Sequence, residues 1–393
     1  MTCQSGRPRR RRIIDRLRPL LLAGLLACGA CSPGRVVDSA RLGIDAGAGT
    51  SVTIRPERRA VILAGQPGDL YLPVDARAAL LMVPGVTPQG RDDPRLVAFA
   101  AALSGHGFLV FVPELPDLRA QRVGPEDPAA IARAAAALAT CLPDDRQQRL
   151  AASGISYAVA PLVLAALTQP GGERIAAILG IGGYYDVVAA ITYLTTGYYR
   201  ETPGGPWRAG APEPIARWVF VLASALQVPE PRDRELLTGI AQARLADPNA
   251  PVAGLAAGLG PDGRAMLALA ENTDPERVPA LIAALPAAVR SDLHLLDLKR
   301  YPLADLRADL ILVHGHDDPL IPASESRALA AAVPEGRARV YVVGNLRHVD
   351  IAAGGLGDAL LLWQAAYRLL TLRDGLSVPE SGRCALATTS GSG

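Results

Sequence analysis

Residues 152–158 read Ala152-Ser153-Gly154-Ile155-Ser156-Tyr157-Ala158. A short apolar run at Leu150–Ala152 leads into the segment, and a helix-forming run starts at Ser156. Small residues two places before and two places after a serine permit a very tight strand-to-helix turn. Such a turn pushes the hydroxyl out at the helix N-terminus, where backbone N–H groups and the helix dipole favour a developing anion. The pattern here is G-x-S-x-A rather than G-x-S-x-G, and Ala158 is small enough to keep the turn. In a chain with 39 Gly one such match carries little weight alone, so its surroundings decide.

Working outward, strand and helix patterns alternate. Ala60–Ala64 and Asp69–Val74 read as two strands about a Gly-Gln-Pro-Gly turn. Ala79–Val83 and Phe108–Val112 are continuous apolar runs, the mark of strands buried on both faces. Between them Asp93 caps a helix with Pro94 at its first position and Gly105 at its end. A helix over Pro128–Leu142 precedes the serine segment, and strands follow at Ile175–Ile181, Leu310–Val313 and Ala338–Val343. The final helix carries Leu356, Leu360, Trp363, Tyr367 and Leu370 on one stripe, fit to lie on a sheet. This alternation predicts a mainly parallel sheet with helices on both faces. Residues 187–305 interrupt it with helical patterns at Ile215–Leu226, Asp233–Leu245, Arg264–Ala270 and Val278–Leu285. They read as a helical cap inserted into a core formed by 51–186 and 306–375, with 376–393 as a flexible tail. Tyr184, Tyr185, Trp207 and Trp218 are the candidates for a ligand-facing wall.

Two further segments bear on Ser156. Val313-His314-Gly315-His316-Asp317-Asp318-Pro319-Leu320-Ile321-Pro322 stands at the end of a buried strand, where a carboxylate can orient an imidazole. Gly344-Asn345-Leu346-Arg347-His348-Val349-Asp350 follows the next strand and supplies an imidazole on a loop. With all three on the page, the chain resembles the α/β-hydrolase superfamily over residues 60–373, in the order Ser, acid, His. The resemblance implies Ser156 as nucleophile, His348 as general base and Asp318 as orienting acid. Asp317 is the neighbouring carboxylate, with a turn or capping role as its plain reading, and Asp186 is the alternative acid. The oxyanion hole falls to the backbone N–H of Tyr157 and to one from Pro84-Gly85-Val86-Thr87-Pro88, with Val86 as the second donor. Many relatives have His-Gly where this chain has Pro-Gly. The implied chemistry is hydrolysis of a small-molecule carboxylic ester or thioester, with no cofactor. A peptidase or acyltransferase uses the same triad, and a hydrolase-like lipoprotein that only binds a ligand or partner is the alternative from another class.

The N-terminus gives the address. Seven Arg and one Asp give residues 1–27 a net charge of +6, and since the whole chain has +2 the remainder carries −4. That basic run and the apolar Pro19–Ala27 read as a secretory signal peptide, and the apolar part falls short of the about 20 residues a membrane span needs. Leu25-Leu26-Ala27-Cys28 resembles a bacterial lipobox, which implies lipidation at Cys28 after removal of 1–27. Cys31 is a poorer candidate. Residues 28–50 then read as a lipidated N-terminus and a Gly/Ala/Ser-rich tether. The expected location is the periplasmic face of an envelope membrane, with a soluble periplasmic or secreted protein as the alternative.

Composition excludes several classes. The chain has 393 residues, 50% hydrophobic and 20% charged, enough apolar content for a large core. Its near-neutral charge argues against nucleic-acid binding. Lys299 is the only lysine, and no phosphate-binding loop built on lysine appears. His314, His316, Asp317 and Asp318 do not form a closed metal set. His106 reads as a helix-end residue and His294 as an exposed one. Five scattered cysteines do not make a disulfide scaffold. Cys141 and Cys384 can pair in an oxidising compartment, though nothing in the sequence favours it.

Overall fold

A computed structural model describes residues 32–47, 56–144, 148–344, 346–347, 350–351, 355–380, 384 and 386–387. Residues 1–31, with the signal peptide, Cys28 and Cys31, lie outside the described residues, as does His348. The apolar runs become the strands of one sheet: β1 (Glu57–Leu63), β2 (Gln66–Leu72), β3 (Ala78–Val83), β4 (Phe108–Pro113), β5 (Leu150–Ile155), β6 (Ile175–Ile181), β9 (Asp309–Gly315), β10 (Ala338–Val343) and β13 (Leu386–Ala387). Their order across the sheet is β10-β9-β6-β5-β3-β4-β2-β1-β13. Pairing is parallel from β10 to β4 and antiparallel from β4 through β2 and β1 to β13. Every residue of β3 and of β4 is buried, which is why both read as unbroken apolar runs.

Two layers of helix cover the sheet. On one face lie α1 (Pro33–Gly47), α2 (Pro94–Gly105) and α14 (Leu356–Arg373), sharing a core with Leu80, Met82 and Val110. Between β4 and β5 come α3 (Pro116–Arg119) and α4 (Asp127–Ala139); the latter packs with α5 (Val159–Thr168) and α13 (Ser324–Ala332) on the other face. The Asp93 carboxylate caps α2 by accepting the Arg95 N–H at 2.9 Å, with Pro94 at the first position.

Between β6 and β9 the chain forms α6 (Val187–Thr196), a small hairpin β7 (Tyr198–Tyr199) and β8 (Arg208–Ala209), α7 (Ala216–Ser224), α8 (Pro231–Ala246), α9 (Ala253–Ala257), α10 (Pro261–Ala270), α11 (Val278–Ala283) and α12 (Ala287–Leu295). No single described helix is long and apolar enough to cross a membrane. A short hairpin, β11 (Leu346–Arg347) and β12 (Asp350–Ile351), follows β10.

Three expectations need correcting. Residues 33–47, read as part of a tether, are the helix α1. It buries Leu42 and is fastened by Arg35–Asp374 at 2.7 Å and Asp45–His106 at 3.0 Å. The stripe on α14 does not all face the sheet. Leu370 is buried, Trp363 donates to the Val36 carbonyl at 3.3 Å and Arg35 lies over Tyr367, while Leu356 is 94% exposed. The C-terminal segment is not loose where it is described. The Ser377 and Glu380 N–H groups donate to the Arg149 and Cys141 carbonyls, Cys141 and Cys384 form a disulfide, and β13 pairs with β1.

Candidate active site

The chain leaves β3 toward β4 on one side and returns to β5 on the other, so the strand order reverses at β3 and β5. A crevice opens outside the C-terminal ends of such strands. Val83 pairs with Gly154 at that end, so the loop after β3 and the turn after β5 are neighbours.

Ser156 sits on that turn with φ +56°, one of three described non-glycine residues with positive φ. The left-handed conformation costs an L-residue about 1–2 kcal/mol, so surrounding structure must enforce it. Gly154 shows how. A Cβ there would meet the Ala158 carbonyl oxygen and the Val159 Cα at 3.1 Å, both backbone atoms, so a side chain at this position would force the strand and the following helix apart by a few tenths of an ångström. A 3₁₀ turn over Ser156–Ala158 then hands over to α5. The small residues flanking the serine serve this contact, and Ala158 is fully buried.

Gly85 lies against Ser156: a Cβ on Gly85 would stand 4.0 Å from the Ser156 Cβ and 3.4 Å from the Ile155 carbonyl oxygen. Pro84, Gly85, Val86, Ser156 and Tyr157 line one cavity of about 740 Å³. The Tyr157 side chain is tied down by its hydroxyl, which donates to Asp127 Oδ2 at 2.7 Å, and the Gly124 N–H reaches the same oxygen at 3.0 Å. Burial pushes the Asp127 carboxyl up to about 6 despite these two donors, and it drives the Tyr157 hydroxyl well upward.

Asp318 follows β9 and is 1% exposed. Its Oδ1 accepts the Leu320 and Ile321 N–H groups at 2.8 and 3.0 Å, and the Tyr193 hydroxyl donates to its carbonyl at 2.9 Å. These bonds fix the carboxylate before any substrate arrives. Beside it His314 is fully buried, with Nδ1 2.7 Å from the Ser326 hydroxyl and Nε2 2.8 Å from the Ile321 carbonyl. The ring thus ties the end of β9 to α13 through Ser326 and to the loop that carries Asp318 through the Ile321 carbonyl. Asp317 is exposed and pairs with His316 at 2.7 Å.

Asp186 is a helix cap. Its Oδ1 accepts the Val188 and Ala189 N–H groups at the start of α6, and its Oδ2 pairs with Lys299 at 2.8 Å. Both oxygens are thereby engaged away from the cavity lining. Of the four wall candidates only Tyr184 lines the cavity. Trp218 is buried under Arg244, and Trp207 stacks with Arg200 and donates to Glu276. Tyr185 points its backbone N–H at Glu325. The wall is mostly aliphatic, with Phe99 and Phe220, which no aromatic signal in the sequence distinguished. His106 ends α2, and His294 is exposed on α12. No group of three His, Cys, Asp or Glu suited to a metal ion occurs among the described residues.

No protein-family model matches the chain, and no curated protein sequence matches it. Similar solved structures include 2,6-dihydroxy-pseudo-oxynicotine hydrolase, at 14% identity and TM-score 0.45 over 84% of this chain and 71% of that one. Dienelactone hydrolase from Anabaena variabilis is 14% identical at TM-score 0.41, over 81% of this chain and 99% of the other. An α/β-hydrolase fold protein from Nakamurella multipartita is 16% identical at TM-score 0.39, over 81% and 100%. The strand order, the crossover helices, the inserted cap and the strained serine turn make this an α/β-hydrolase fold.

Proposed function

We propose that the chain is a serine hydrolase that cleaves a carboxylic ester or thioester through an acyl-enzyme on Ser156. The observation that carries the reading is Ser156 itself, held at φ +56° on the turn into α5 and opening onto a large apolar cavity. Strain of this kind at a nucleophile-bearing residue is kept where it is used. In this mechanism Ser156 Oγ attacks the acyl carbon and His348 takes the hydroxyl proton. The backbone N–H groups of Tyr157 and Val86 hold the oxyanion. The alcohol or thiol leaves with the proton from His348, and water repeats the sequence to free the acid. Asp318 orients the imidazole and balances its charge. His348 takes its role from its place in the sequence after β10.

Labelling with a fluorophosphonate tests the reading. Wild-type protein should be labelled and Ser156→Ala should not, with loss of ester hydrolysis in the same variant. A folded wild-type protein that resists labelling and hydrolyses no ester would leave the ligand-binding alternative in its place.

The address is proposed with it: an exported protein held at a bacterial envelope membrane by lipid on Cys28. The Cys141–Cys384 disulfide supports export, because such bonds persist in oxidising compartments. Expression of the full chain with labelled fatty acid should mark the wild type and spare Cys28→Ser. Equal incorporation in the two would remove the claim.

A further inference from the structure

The cavity at Ser156 has two lobes of different chemistry. One lies under the cap, against Ile191, Leu194, Val219 and Phe220, and includes the polar side chains of Gln121 and Ser224. The other lies on the opposite side, between three helices far apart in sequence. Its lining includes Gly43 and Ala46 of α1, Leu96 and Phe99 of α2, and Leu362 and Ala366 of α14. Asp93 and Arg95, at the start of α2, are the charged residues in the described lining, and they pair with each other at 2.8 Å. Away from that pair, the described residues of the second lobe offer a ligand hydrocarbon. A dry apolar cavity does not hold ordered water and takes apolar ligands instead.

We propose that this second lobe is an acyl-chain channel, walled by α1, and that the substrate is a long-chain aliphatic acyl ester whose alcohol portion lies under the cap. The proposal rests on the hydrolase reading and names its substrate class. Three observations carry it. The whole cavity, at about 740 Å³, is of the size that takes a drug-sized ligand, far more than a short acyl ester fills. Ser156 lines the same cavity as both groups of residues, so an ester carbonyl held there has hydrocarbon of the three helices for its alkyl chain and the Gln121 and Ser224 side for its more polar alcohol. Finally, α1 leaves space where a chain would run: a Cβ at Gly43 would meet nothing within 4 Å. The helix is fastened by Arg35–Asp374 and Asp45–His106 and packs through the buried Leu42, which holds Gly43 and Ala46 in place as wall.

Gly43→Phe fills the channel and replaces a poor helix former with a better one, so the helix itself is not weakened. The test compares p-nitrophenyl palmitate with p-nitrophenyl butyrate on full-length protein. It also titrates cis-parinaric acid, a fluorescent long-chain fatty acid, into Ser156→Ala with and without Gly43→Phe. Wild type should favour palmitate in kcat/KM. Gly43→Phe should lower the palmitate-to-butyrate ratio by about tenfold or more, the worth of roughly two buried methylenes, and weaken parinaric binding by a similar factor. A wild type that prefers butyrate, or a ratio and a titration both untouched by Gly43→Phe, would overturn the channel while leaving the serine hydrolase intact. If no ester is cleaved at all, the hydrolase reading fails, and the parinaric titration still decides whether the channel binds a long chain.

Discussion

Ser156 pays for its exposure with backbone strain, and that strain can be measured apart from chemistry. At φ +56° a Cβ is unfavourable and glycine is not. Ser156→Ala keeps the Cβ, whereas Ser156→Gly removes it at the same position. Both should be inactive, and Ser156→Gly should unfold at higher denaturant, by about 1 kcal/mol after the extra chain entropy of glycine is allowed for. Equal stability of the two would mean that the turn is unstrained in solution. The serine was legible in the sequence because small neighbours at two fixed offsets have one steric purpose, and the Gly154 contact with Ala158 and Val159 is that purpose. The end of a buried strand offered Asp317 and Asp318 alike and the resemblance alone singled out Asp318, while the Leu320 and Ile321 N–H groups that hold its carboxylate had no signal in the sequence. The wall was not legible: whether Trp207 or Trp218 faces a ligand depends on where Arg200 and Arg244 stack, which sequence spacing does not encode.

Elements with a strong local pattern were readable, and those made by tertiary contact were not. Strands β3, β4 and β6 are apolar runs buried almost throughout, a pattern a sheet core accounts for directly. Helix α1 has few apolar residues and no acidic residue in its first turn, and isolated helices of its length are marginal in water. Its partners, Trp363, Tyr367 and Asp374, lie more than three hundred positions away, so no local window contains its reason to fold. The C-terminal segment is a similar case. The disulfide closes a sequence separation of 243 residues and ties the segment just before β13, which pairs with β1, to Cys141. A cross-link over so long a loop stabilises mainly by restricting the unfolded chain. Cys384→Ser should therefore lower the unfolding free energy by about 2–5 kcal/mol under oxidising conditions, read from urea titrations. Under a reductant the two proteins should coincide. A difference that persists in reductant would assign the effect to side-chain packing instead.

At the scale of the whole molecule, the core must hold the cap in place, and one buried carboxyl does so at the point of entry. Glu325 on α13 is 5% exposed, and its Oε2 accepts the N–H groups of Tyr185 and Asp186 at 2.9 and 2.8 Å, where the chain leaves β6 for α6. Nearby, the Tyr184 hydroxyl donates to the Leu296 carbonyl at 3.2 Å, and the Asp297 carboxylate faces the Val187 N–H. Burial pushes Glu325 up to about 7, with Asp186 and Asp297 acting in the same direction, while the two N–H donors oppose the shift and lose. In the unfolded chain the same carboxyl ionises near pH 4.3. Between those values the folded state binds the proton and the unfolded state does not, so stability falls as pH rises and levels off above about 7. Asp127, raised to about 6 by burial, adds a slope of the same sign. Glu325→Gln retains an oxygen for both N–H groups and cannot ionise. Any fixed cost of its amide is independent of pH, and the Asp127 contribution cancels between the two proteins. The melting temperature of Glu325→Gln minus that of wild type should therefore climb from pH 5 to about pH 7 and level off by pH 8. A difference that stays flat or declines over that range would show that Glu325 is already ionised at pH 5 in the folded protein, and that the cap is anchored by a charge rather than by a buried acid.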